Sequence, residues 1–159
     1  VVDLRPHHLL DIVTSIGHGH DFTPHPYGHN VHVVASKTLA GIDWKARFVI
    51  GADEICRPCS HLGKDGLCND VLRQVQPHLS KQHYNDSLDA RLMACLGMKQ
   101  GAEMTVREFL ELINRHVPGI ENICTHPGEA KSERLDGLAK GLSRLLKRGT
   151  MQGEIIQDV

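Results

Sequence analysis

Residues 135–148 read LDGLAKGLSRLLKR. Leu135, Leu138, Ala139, Leu142, Leu145 and Leu146 recur at i, i+3, i+4, i+7, i+10 and i+11, which is the apolar stripe of an amphipathic helix. Lys147 and Arg148 at its end suit the helix dipole. The same period recurs upstream. Residues 6–16 open on Pro6, which suits a first helical turn, and Leu9, Ile12, Val13 and Ile16 form the stripe. Thr105 and Glu108 make a capping box ahead of Val106, Phe109, Leu110 and Ile113, and Pro118-Gly119 ends that helix. Leu88, Leu92, Cys95 and Leu96 mark another, closed by Gly97, with Cys95 a small hydrophobe in its stripe. Residues 69–83 read as a helix bent or broken at Pro77. Residues 31–40 read as a short helix, with strand as the alternative because β-branched residues are frequent there. Residues 44–50, WKARFVI, alternate as a strand does. The expected fold is therefore mostly α, an α+β fold with a minor, peripheral strand component and about six helices in a single domain over 1–159. Residues 149–159 read as a tail that docks or frays.

The chain has 159 residues, 40% of them apolar, which suits one soluble domain. Lys and Arg number 18 against 19 Asp and Glu, so no broad positive field is available for nucleic acid or an anionic membrane. Lys140, Arg144, Lys147 and Arg148 read as a solvated helix face. No apolar run approaches the roughly 18–20 residues needed to span a bilayer. The chain opens on Val1 rather than Met, so a preceding segment is expected. Five cysteines, an odd number including a C-x-x-C, favour a reducing cytoplasmic setting and metal chemistry over a disulfide framework. Phosphate-loop, G-x-S-x-G and H-E-x-x-H motifs are absent.

Residues 56–68 read CRPCSHLGKDGLC and carry the strongest chemical signal. Two cysteines two residues apart can turn both sulfurs to one centre, and Gly63 and Gly66 let the chain fold back so that Cys68 reaches it. Three thiolates suit zinc or an iron–sulfur cluster, and spacing tips the reading slightly to the cluster. Cys124, in the loop ICTHPG, is the first candidate for a fourth ligand, with His61 and His126 as substitutes.

Twelve histidines are a second signal. His7, His8 and Asp11 share one side of the first helix by their three- and four-residue spacing. His18, His20, His25 and His29 lie in a long loop over 17–30, with His32 just beyond, and can form a second metal site. His78, His83 and His116 read as exposed helix residues.

LRPHHLL at 4–10, ICRPCSHLGKDGLC at 55–68, LGMKQGAEMTVREFLELI at 96–113 and then Cys124 occur in that order. Together they resemble the bacterial and archaeal family called domain of unknown function 1284, over most of residues 4–125. The resemblance implies an iron–sulfur protein without an assigned activity. It carries a 4Fe–4S cluster onto Cys56, Cys59, Cys68 and Cys124, and marks His7 and His8 as signature residues of unassigned role. Two departures matter. Family members often have Cys where this chain has Asp11, and a second Cys shortly after the position of Cys124, where THPGE follows here. One cluster with fewer thiolates, or another metal such as zinc, is therefore open. Two functional classes follow. One is a cluster protein, in which His7 or His8, oriented by Asp11, acts as a base on a small molecule, or which serves a redox partner protein. The other is a zinc-stabilised binding module without catalysis.

Overall fold

The computed structural model describes residues 1–157, with side chains described over 1–147. The tail expected over 149–159 lies outside the fully described residues. The chain runs β1 (Val2–Leu4), α1 (Pro6–Gly17), α2 (Val31–Ala40), β2 (Lys45–Phe48), β3 (Val71–Leu72), β4 (Leu79–Ser80), α3 (Lys81–Leu96), β5 (Glu103–Thr105), α4 (Val106–Asn114), α5 (Glu121–Cys124) and α6 (Lys131–Gln157). Among the described residues no helix is long and apolar enough to cross a membrane.

The helical periodicities hold where they are strongest. Leu9, Ile12, Val13 and Ile16 of α1 are buried, as are Val106, Phe109, Leu110 and Ile113 of α4. The Thr105–Glu108 capping box forms in both directions. Gly97 closes α3 in the left-handed conformation, φ 66°, which glycine adopts without a Cβ penalty. On α6, Leu138, Leu142 and Leu145 enter the core, Leu135 and Leu146 are half-buried, and Ala139 is exposed. Residues 31–40 form a helix, not the strand alternative.

Three expectations change. Residues 69–80 are not helical but carry the antiparallel pair β3–β4, with Val71 opposite Ser80 and Leu72 opposite Leu79, and only Lys81–His83 of the expected helix are helical, as the first turn of α3. Asp70 gathers its two ends. Its carboxylate accepts from the Val71 N–H at 2.9 Å, Arg73 at 3.1 Å and the Lys81 ammonium at 2.6 Å. Pro77, which cannot donate to a helix, falls in the connection. Cys95 is exposed, because α3 buries Leu88, Asp89, Leu92, Met93 and Leu96 instead. The sheet β1–β2–β5 is small but not peripheral. β2 pairs parallel with β1 and antiparallel with β5, and Leu4, Ala46 and Phe48 are fully buried. Phe48 stacks on Phe109 of α4 with ring centroids 4.3 Å apart.

α1 and α6 pack against each other through glycine. A Cβ on Gly17 would overlap the Gly137 carbonyl, and one on Gly141 would overlap the Val13 carbonyl. The close approach leaves no room for a methyl group. Gly141→Ala is expected to lower stability by about 1–3 kcal/mol, because overpacking there meets backbone and not a movable side chain. The readout is a lower denaturant midpoint with unchanged slope.

Burial of Asp70 works against its charge, but Lys81 and the Val71 N–H prevail and bring it down to about 2. A carboxylate depressed on folding stabilises above its ordinary pKa and loses that contribution as pH falls through the folded value. Asp70→Asn should therefore cost about 2 kcal/mol at neutral pH. Acid titration of the wild type from 3.8 to about 2 should remove the same amount, and the variant should show no such step.

Candidate metal centre and its cavity

Parallel pairing of β1 with β2 sets the chain after β2 beside the start of α1. The Val49 N–H donates to the Leu4 carbonyl, and the Glu54 N–H to the Asp3 carbonyl, both at 3.0 Å. Asp53 is thereby delivered to the first turn of α1. Its carboxylate accepts from the Arg5 backbone N–H at 2.7 Å, His8 Nδ1–H at 2.8 Å and the Cys56 N–H at 3.1 Å. From α3, Asp89 accepts from the His7 backbone N–H and His7 Nδ1–H, each at 2.9 Å, and from the Arg5 guanidinium at 2.9 Å. Arg5 also reaches Asp86 at 2.8 Å. The open N–H groups of the α1 N-terminus are thus met by distant carboxylates, where negative charge is favoured.

A carboxylate can only accept, so both histidines carry their proton on Nδ1. Among the described residues their Nε2 atoms have no hydrogen-bond partner, and neither atom is sealed in the interior. Both residues line a cavity of about 550 Å³. Their ring centroids are 4.4 Å apart. Burial, then the neighbouring His8, pushes His7 below its ordinary value. Burial also opposes charge on His8, but Asp53 overcomes it and holds His8 above. Asp53 stays well below the carboxylate range despite its burial, held there by His8 and two backbone N–H groups.

Asp53 also caps the turn that begins the Cys loop. The Cys59 N–H donates to the Cys56 carbonyl at 2.9 Å, the Gly63 N–H to the Leu67 carbonyl at 2.8 Å, and the Cys68 N–H to Gln82 Oε1 at 2.8 Å. The fold-back expected from the glycines is therefore present. Cys56, Cys59 and Cys68 are half-buried free thiols lining the same cavity as His7 and His8. Burial, then the Asp53 carboxylate, pushes Cys56 up to about 12. His8, Asp53 and Cys56 each offer a donor atom within 4.8 Å of the others, a group that can hold a metal ion. Among the described residues the three cysteines do not form so tight a group.

Cys124 lies elsewhere. It is 1% exposed at the end of α5, packs in the core and does not line the cavity. Burial pushes its thiol up to about 12. Of its substitutes, His61 lines the cavity, with Nδ1–H donating to Asn69 Oδ1 at 2.9 Å and, among the described residues, no hydrogen bond on Nε2. His126 has both ring nitrogens engaged. Nε2–H donates to Asp11 at 2.9 Å, and Nδ1 meets the Tyr84 hydroxyl at 2.8 Å. Asp11 therefore does not orient His7 or His8 by hydrogen bond; its partners are His126 and, at 2.8 Å, Arg134.

Of the loop histidines, His18, His20 and His29 line the cavity, whereas His25 and His32 do not. His25 and His29 stack with centroids 4.5 Å apart, and His18 Nε2–H donates to the Glu133 carbonyl at 3.0 Å. No three of them form a compact donor group among the described residues. Sequence reasoning missed Arg5, Asp53, Asp89, Tyr84 and Arg134. Two had a local signal. Asp53 stands three residues before Cys56, the position of a side chain that caps a turn. Asp89 sits among Leu88 and Leu92 on a buried helix face, where an acid needs a partner.

Removing one partner of a buried pair strands the other charge. Asp89→Asn should therefore destabilise by about 3 kcal/mol by leaving Arg5 short of its counter-ion. A thermal or denaturant melt measures this. Conservative replacement of exposed Asp136, which pairs with Lys140 on the surface, should change stability by less than about 1 kcal/mol.

A family model described as "Protein of unknown function (DUF1284)" matches residues 25–127. That span holds the Cys loop, Tyr84, Cys124 and His126, and begins after His7, His8 and Asp11. No curated protein and no solved structure matches the chain. With its match running through most of the chain, the protein belongs to the DUF1284 family.

Proposed function

We propose that the chain holds an iron–sulfur cluster on Cys56, Cys59 and Cys68, and that the cavity beside it receives a small molecule. One observation carries this reading: all three cysteines of one loop line the cavity that His7 and His8 also line. One tetrahedral ion draws its sulfurs to about 2.3 Å from a single centre. Among the described residues the three thiols do not form so compact a group, and a cluster would hold each thiolate on a separate iron. With its pKa pushed up to about 12, Cys56 keeps its proton until a cation displaces it, so loading releases protons. For the fourth position His61 has the better location, in the cavity wall with Nε2 unengaged. Cys124, the thiolate suggested by the resemblance, is the alternative.

When bound, such a cluster supplies electron transfer or a Lewis-acidic iron. The protein's own groups do the rest. Asp53 fixes His8 in one tautomer and leaves Nε2 as a proton acceptor, the arrangement of a general base. Asp89 fixes His7 in the same tautomer, and burial keeps that ring neutral.

A second reading rests on the His8, Asp53 and Cys56 group, which can hold one ion directly. Zinc there would make the site a structural knuckle in a binding module. Anaerobic purification followed by assay of iron, zinc and acid-labile sulfide separates the two. The cluster reading expects brown protein with iron and sulfide in equal amounts. Cys56→Ser, Cys59→Ser and Cys68→Ser should each lose most of both. Cys124→Ser should keep them if His61 completes the site. Colourless protein with zinc and no sulfide would refute the cluster and leave the single-ion reading.

A further inference from the structure

His7 and His8 stand in the first turn of α1, and a different carboxylate grips each from behind. His7 Nδ1–H donates to Asp89 of α3 at 2.9 Å, and His8 Nδ1–H donates to Asp53 at 2.8 Å. The ring centroids are 4.4 Å apart. His7 is 3% exposed, yet it lines the cavity with His8, and among the described residues neither Nε2 has a hydrogen-bond partner. A polar atom of so buried a side chain, left without a protein partner at a cavity wall, is a place for water, an ion or a ligand. Asp53 and Asp89 back the pair and Asp86 adds a third carboxylate, against the guanidinium of Arg5. That surplus of acidic groups favours a cation.

We propose that His7 and His8 hold a divalent first-row transition-metal ion through their Nε2 atoms, at a site separate from the thiolate centre. Imidazole nitrogen suits iron, cobalt, nickel, copper or zinc, whereas magnesium and calcium take oxygen. A ligating histidine almost always gives its other ring N–H to a carboxylate, carbonyl or water, which fixes the tautomer and aims the lone pair. Both residues carry that backing. Asp53 is the backing and not a ligand, because its two oxygens already accept from Arg5, His8 and Cys56. Among the described residues no third side chain forms a compact donor group with both histidines. The remaining positions of the ion therefore open on the cavity, where water or an oxygen of a small molecule can take them. With an ion bound, its water replaces His8 Nε2 as the proton acceptor of the site. The inference goes beyond the cluster and does not rest on it, since no thiol takes part.

The test is equilibrium dialysis of the protein as purified, its thiolate centre left as found, against nickel ion. Wild-type protein should bind one nickel per chain saturably. X-ray absorption at the nickel edge should show imidazole nitrogen and no sulfur around it. His7→Gln and His8→Gln should each weaken binding about tenfold or more, at least the factor that loss of an outer partner costs a metal site. His78→Gln, which lies outside the cavity, should bind as the wild type does. Melts without nickel show which variants fold. If His7→Gln does not, His8→Gln and the wild-type absorption spectrum decide. Absence of saturable binding, or unchanged affinity in His8→Gln, overturns the proposal. So does sulfur around the nickel, which would put the ion on His8 and Cys56 instead. Iron and sulfide content, measured on the same samples, reports on the cluster separately, so either reading can fail alone.

Discussion

A single buried carboxylate holds the site together. Asp53 is 2% exposed, and its oxygens take hydrogen bonds from Arg5, His8 and Cys56. An ionised carboxylate removed from water is costly unless it is paired and hydrogen-bonded. Here its three donors come from the β1–α1 junction, from an imidazole of α1 and from the first turn of the Cys loop. Satisfying Asp53 therefore fixes the position of His8 relative to Cys56. Asp89 repeats the device one residue away, joining His7 and Arg5 to α3. The small sheet matters for the same reason. Its parallel β1–β2 pairing is what brings residue 53 to residue 5.

The paired histidines divide their roles through electrostatics. Two imidazoles with centroids 4.4 Å apart and little water between them cannot both be charged cheaply. Asp53 gives His8 the better claim on a proton, while burial and His8 itself drive His7 toward neutrality. His126, edge to face with His7, is raised in its turn: burial opposes the charge, and the Asp11 hydrogen bond outweighs it. Neighbouring titratable groups pushed in opposite directions are the usual basis of acid and base assignments in one site. Seven of the twelve histidines line the cavity, and the ring centroids of His7 and His126 lie 6.1 Å apart.

Legibility in the sequence followed the range of the interaction. The stripes of α1, α4 and α6, the capping box and the Gly97 terminus depend on residues within a turn or two, and they could be read directly. The Cys loop could be read too, since its three thiols span thirteen residues. Where local pattern was weak, tertiary structure prevailed. Residues 69–83 contain a helical spacing of apolar groups, but Asp70 ties both ends of a hairpin there. Cys95 has helical spacing from Leu88 and Leu92, but α3 turns a neighbouring face inward and buries an acid on it. The partners of His7, His8 and His126 lie 82, 45 and 115 residues away. Composition and periodicity carry no signal over such separations, so Asp11 was paired with its sequence neighbours instead.

The glycine contact between α1 and α6 also bears on how Asp11 and His126 are held. Gly137 and Gly141 sit inside a helix, where each is about 1 kcal/mol less favourable than alanine. That loss of local helix stability is tolerated where α6 presses against the backbone of α1 at Gly17 and Val13. The same approach sets Arg134, one turn earlier on α6, against Asp11 and Thr14 of α1. Arg134 fixes Asp11, Asp11 fixes His126, and His126 faces the Tyr84 hydroxyl. A larger residue at 137 or 141 would act first on packing and then, through this chain of contacts, on a hydroxyl that belongs to α3. The helix most plainly written in the sequence thus serves the site through Gly137 and Gly141, two positions at which its own local propensity is poor.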